Sequence, residues 1–144
     1  VKIDDDFINF NNVNLTDKKT LFKYSDVIIL CVNLNKNNHN LINHNQFSLM
    51  KNKPIIINIS RGSVIKEEAL IKALKNKLIS GAGLDVFTKE PFSIKNKLLN
   101  FDNCILSSHN AYNTKEAVEY VHKNTIQNML RGLLDNEKIT INAI

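Results

Sequence analysis

Apolar residues along this chain collect in four short runs: 26–32 (DVIILCV), 54–59 (PIIINI), 80–86 (SGAGLDV) and 104–107 (CILS). Runs of this length, rich in β-branched residues and bounded by polar or turn residues, read as strands. The first two show no polar alternation, which predicts strands buried on both faces, as in a parallel sheet. Helical periodicity fills the gaps. A helix is expected over 17–24, with Thr16 as its N-cap and Asp17 in its first turn. A short one is expected over Gln46–Met50. The next, over Lys66–Lys77, carries Ala69, Leu70, Ala73 and Leu74 on one stripe. The last spans Thr114–Leu134, with Val118, Val121, Met129, Leu130 and Leu133 facing inward. Val1–Ile3 and Asn12–Leu15 read as two further short strands, and 33–43 and 87–103 as loops. Helices and buried strands alternating at this spacing predict βα units, and so an α/β fold with a parallel sheet flanked by helices.

In such sheets ligands bind beyond the carboxyl ends of the strands. The residues placed there are Asp4–Asp6, Asn33, Arg61, Asp85 and His109. Arg61 follows the second run by two residues. Its planar guanidinium suits bidentate capture of a carboxylate or phosphate, and capping of a neighbouring loop is the other reading. His109 follows the fourth run, where a neutral imidazole can take a proton from a hydroxyl; a structural loop histidine is the alternative. Glu90, in the long loop, could reach His109 and hold its ring, or simply be solvated. Asp85 closes the third run as a ligand-facing acid or a turn cap. One of Asp4–Asp6 could hold the two hydroxyls of a ribose, or the three could form a solvated acidic run.

Composition narrows the picture. At 144 residues the chain is sized for one domain. The net charge of +5 comes from lysines spread along the sequence, which suits a small anionic ligand better than a nucleic acid. Cys31 and Cys104 lie far apart in apolar runs, so no disulfide framework is suggested and a reducing, cytoplasmic setting is expected. The longest apolar run, Val27–Val32, is far too short to span a membrane. His39 and His44 have no cysteine or carboxylate partner at ligand spacing, so no metal is expected. No Gly-rich phosphate loop and no nucleophile elbow occurs in the sequence. A phosphoryl-receiver reading, prompted by Asp4–Asp6, fails because Asn33 rather than an aspartate follows the central run.

The motifs in order are INISRGSVIKEEAL (57–70), Ala73-Leu74, SGAGLDVF (80–87), Glu90-Pro91 and SHNAYNT (108–114). Together they resemble the NAD-binding domain of the D-isomer-specific 2-hydroxyacid dehydrogenases, over about Leu21 to Leu134. The form SHNAYNT is most similar to phosphoglycerate-dehydrogenase-type members. The resemblance implies a Rossmann-like domain, NAD as cofactor, and a small 2-hydroxy or 2-keto acid as substrate. It implies that Arg61 binds the substrate carboxylate, that His109 is the acid/base on the C2 oxygen, and that Glu90 pairs with His109 and tunes it. Asp85 would face the nicotinamide carboxamide. Asn58, Ile59 and Ser60 would line the nicotinamide side, largely through backbone. Val32, Asn33 and Leu34 would lie near the adenosine half. The resemblance further implies a homodimer for the full-length protein. Residues 1–144 are expected to be a partial NAD-binding domain, without the family's Gly-rich loop and substrate domain, and inactive in isolation. A nucleotide-sensing relative without turnover is the competing reading.

Overall fold

The parallel sheet forms as expected. In a computed structural model, which describes residues 13–134, the strands are β1 (Val27–Leu30), β2 (Ile55–Asn58), β3 (Gly81–Leu84) and β4 (Cys104–Leu106). They pair in chain order, all parallel. Val27 pairs with Ile55, Ile55 with Gly81, and Ala82 with Cys104. Every strand therefore points its carboxyl end to the same edge. The helices are α1 (Lys18–Tyr24), α2 (His44–Leu49), α3 (Glu67–Lys75) and α4 (Lys115–Leu134). Single 3-10 turns lie at Gly62–Val64 and Lys97–Asn100. The chain divides into two compact units, one up to His109 and one from Asn110 onward.

The core of the first unit lies on one face of the sheet. Ile28, Leu30, Ile56, Ala82 and Leu84 join Phe22 of α1, Phe47 of α2 and Ala69, Leu70, Ala73 and Leu74 of α3 in one buried cluster. The α3 stripe read from the sequence is thus the buried one. The expectation that the first two strands are buried on both faces fails. Along β1 exposure alternates, and Val27, Ile29, Ile55 and Ile105 remain 49%, 57%, 44% and 75% exposed. The reason is one-sided packing: the cluster that carries side chains of α1, α2 and α3 closes over one sheet face alone.

Helix ends differ from expectation where a better cap exists. Asp17, not Thr16, is the N-cap of α1, and its carboxylate accepts from Lys19 N at 2.9 Å and Thr20 N at 3.0 Å. Helix α2 starts earlier than Gln46, because Asn43 and Gln46 cap each other reciprocally. Helix α3 stops before Lys77, which takes a left-handed φ of 53° while Leu78 N bonds back to Ala73 O. Residues 13–15 form no strand, and Leu15 is exposed with no sheet neighbour. The expected strand Val1–Ile3 and the Asp4–Asp6 site lie outside the described residues. In α4 the expected inward stripe is not buried: Val121, Met129, Leu130 and Leu133 are exposed and only Val118 is half-buried. The second unit has no other described helix or strand against which that stripe could close.

Candidate active site

Because the four strands are parallel and paired in chain order, the segments that follow them line one edge of the sheet in sequence order. These are 31–34, 59–61, the residue Asp85, and 107–109. Arg61 is positioned by the end of β2. Asn58 is buried there, and its Oδ1 accepts from Ser60 N at 3.1 Å and Ser60 Oγ at 2.8 Å. Its Nδ2 donates to Arg61 O at 3.0 Å. The exposed Arg61 side chain folds back so that Nη1 donates to Ser60 O at 2.7 Å. The next residue, Gly62, lies so close to Phe87 and Thr88 that a Cβ there would overlap the Phe87 carbonyl and the Thr88 nitrogen. The missing side chain is what lets the arginine turn lie against the segment leading to Glu90. Behind the turn, Asn40 N bonds to Ser63 O at 2.8 Å, and Ile42 bridges Ile65.

Glu90 and His109 meet as the sequence suggested. His109 Nδ1 and Glu90 Oε2 are 2.9 Å apart, and the other carboxylate oxygen accepts from Phe87 N at 2.9 Å. Both side chains are about two-fifths exposed, at 43% and 38%. The hydrogen bond from His109, then that from Phe87 N, hold the Glu90 carboxyl below its ordinary range, with Arg61's positive charge adding to them. His109 sits in a left-handed conformation, φ 56°, and the Glu90–Pro91 peptide bond is cis. A cleft of about 800 Å³ opens beside this pair, walled by Phe87, Pro91, Phe92, Leu99 and Leu106.

Asp85, at the end of β3, is buried and accepts from Ser107 Oγ at 2.6 Å. Its backbone N donates to Asn58 O at 3.0 Å, so the ends of β2 and β3 are tied together. Asn33, Leu34 and Val32 follow β1. The loop there is built from asparagines: Asn38 Nδ2 donates to Asn33 O, and Asn35 N donates to Asn38 Oδ1 at 2.7 Å. Val32 and Leu34 stay exposed beside it. The structure thus brings together Glu90 with His109, and Asn58 and Ser60 with Arg61. Val32, Asn33, Leu34 and Ile59 stand at the same edge without joining either group. Three contributors were missed: Ser107 behind Asp85, Gly62 under the turn, and Phe87 N on Glu90. Only Gly62 left a signal, as a glycine directly after the arginine. Among the described residues no group of three His, Cys, Asp or Glu could hold a metal ion.

The family model of the D-isomer specific 2-hydroxyacid dehydrogenase, NAD binding domain, matches residues 2–111. The chain belongs to that family. It is 40% identical over 122 residues to a glyoxylate reductase of Thermofilum pendens, covering 85% of this chain and 36% of the relative. It is 38% identical over 135 residues to a D-3-phosphoglycerate dehydrogenase of Archaeoglobus fulgidus, covering 92% and 26%. The holo form of Rhodotorula graminis D-mandelate dehydrogenase superposes with a TM-score of 0.86 at 29% identity, covering 97% of this chain and 41% of that one. The chain therefore spans between a quarter and two-fifths of the length of these relatives. In this dehydrogenase family the matched part is the NAD-binding domain. The residues present fit that cofactor. Asp85 places a buried carboxylate acceptor at the sheet edge, suited to a carboxamide N–H, and the exposed Val32 and Leu34 offer an apolar surface suited to a planar adenine.

Proposed function

We propose that the protein carrying this chain is an NAD-dependent oxidoreductase that interconverts a D-2-hydroxy acid and its 2-keto acid, with Arg61, Glu90 and His109 as the catalytic residues. The observation that carries this reading is the 2.9 Å His109–Glu90 pair standing on the same sheet edge as Arg61. Glu90 takes Nδ1, which leaves Nε2 of His109 to meet the C2 oxygen of the substrate. In reduction, the His109 proton goes to that oxygen as a hydride reaches C2; in oxidation His109 takes the proton back. Arg61 grips the carboxylate with two parallel N–H bonds and polarises the adjacent carbonyl. When bound, the nicotinamide supplies or accepts the hydride. Asp85 would hold its carboxamide, the backbone of 58–60 would line its ring, and Val32, Asn33 and Leu34 would flank the adenosine.

The substrate class is a small 2-hydroxy or 2-keto acid, of the kind the relatives' names describe. The full-length protein would be a homodimer, as is usual for the family. The unpaired Cys31 and Cys104 support a reducing, cytoplasmic setting. The matched NAD-binding part, residues 2–111, covers about two-fifths or less of these relatives' length, so the activity is proposed for the whole protein. The test is NADH oxidation by the full-length gene product against a panel of 2-keto acids, glyoxylate and hydroxypyruvate included. Turnover should fall at least about 100-fold in His109→Asn. No turnover with any acid, or turnover untouched by the substitution, would refute the assignment.

A further inference from the structure

Asn58 closes β2 and is 1% exposed as a residue, so it offers almost no surface to a ligand. All three of its side-chain bonds go to the two residues that form the arginine turn. Oδ1 takes both donors of Ser60, at 3.1 and 2.8 Å, and Nδ2 donates to Arg61 O at 3.0 Å. The Ser60 carbonyl, held in place by these bonds, is the acceptor for Arg61 Nη1 at 2.7 Å. The path runs from a buried amide, through one fixed peptide, to an exposed guanidinium.

We infer that Asn58 is a positioning residue for the substrate carboxylate, acting through Ser60 and Arg61 rather than through the cofactor. The inference rests on the reading of Arg61 as the carboxylate clamp. An arginine on an exposed turn has many rotamers, and ordering them on binding costs affinity. One guanidinium nitrogen tethered to Ser60 O restricts that freedom in advance and leaves the rest of the fork for the substrate. The orientation lasts only while the Ser60 peptide stays still, and Asn58 is the side chain that stills it.

The test is a double-mutant cycle in the full-length protein, with NADH affinity followed separately by fluorescence. Asn58→Ala should raise KM for the 2-keto acid, and the Kd for oxamate, by about tenfold, a clearly larger factor than any accompanying rise in the Kd for NADH, whose ring the 58–60 backbone would line. In an Arg61→Ala background the same change should add less than about twofold, because the residue through which it acts is gone. Equal factors in both backgrounds, or a parallel loss of NADH affinity, would overturn the inference. Should Asn58→Ala not fold, Ser60→Ala decides. It removes one hydroxyl donor and leaves the backbone, and should weaken oxamate about threefold, by more than it weakens NADH. Unchanged oxamate binding in Ser60→Ala would also overturn it. A wild-type protein that neither reduces any 2-keto acid nor binds oxamate would mark failure of the underlying reading instead, and would remove this inference with it.

Discussion

The arginine turn and the histidine turn leave the same sheet edge, yet they are held in opposite ways. Around Arg61 the backbone is locked. A buried asparagine holds it from behind, Gly62 presses it against Phe87, and a bridge between Ile42 and Ile65 supports it. Around His109 the ring is half open to solvent, and the ring bond that fixes it goes to Glu90. The difference suits the two roles proposed for these residues. A clamp for a carboxylate gains from being set before the ligand arrives. A proton-transferring ring needs one firm partner and an open second nitrogen.

The sharpest way to break this contrast is at the contact beneath the locked half. Gly62→Ala places a Cβ on the Phe87 backbone, which no rotamer change can relieve. It should destabilise by about 1–3 kcal/mol or more and separate Arg61 from Glu90. Thermal unfolding measures the first effect and turnover the second; an unchanged Tm would show that the approach is looser than described. Arg61→Lys comes next. It keeps the charge and loses the fork, so keto-acid KM should rise at least about tenfold while NADH binding holds. Equal catalytic efficiency would end the bidentate role.

The open half should respond less to the loss of its partner. Glu90→Gln keeps the shape and gives up the charge, and should lower kcat by about tenfold with the fold intact. A pH series sharpens this point. The folded-state pKa of Glu90 is depressed below its ordinary 4.5. Its contribution to stability is therefore present above that value and is lost as the pH falls through the lowered one. The Tm gap between wild type and Glu90→Gln, small because the pair is exposed, should be full at pH 7 and close in acid; a gap that widens on acidification would reverse the sign argued here. The smallest test concerns the cysteines. Burial pushes the Cys104 thiol up to about 11, whereas Cys31 is exposed. A thiol reagent at neutral pH should label Cys31 well before Cys104, and the reverse order would put the exposed end of β1 elsewhere.

The sheet, and the residues that stand at the carboxyl ends of its strands, were legible in the sequence because their signals are local. A β-branched run followed by a polar residue and a helical period specifies both a strand and the residue that follows it, and Arg61, Asp85 and His109 were found that way. The partners that fix those residues were not legible. Ser107 reaches Asp85 across 22 positions, and Gly62 matters only because Phe87 happens to pass beside it. One-sided burial of β1 was missed for a related reason. An unbroken apolar run reports that its side chains suit burial, and leaves open which neighbours supply it. The α1 cap was misplaced by a single residue, because Thr16 and Asp17 are both good caps and only the geometry chooses between them.

The left-handed backbone at His109 decides which substitutions give a readable answer there. Histidine, asparagine and aspartate visit that region more readily than most residues, while a typical side chain is strained by about 1–2 kcal/mol. Alanine scanning would therefore charge the imidazole with a defect that belongs partly to the loop. Asparagine removes the ring's acid–base chemistry and leaves the turn as it was. Random mutation meets the same filter, so few replacements at this position can lose the chemistry without also disturbing the loop that presents it.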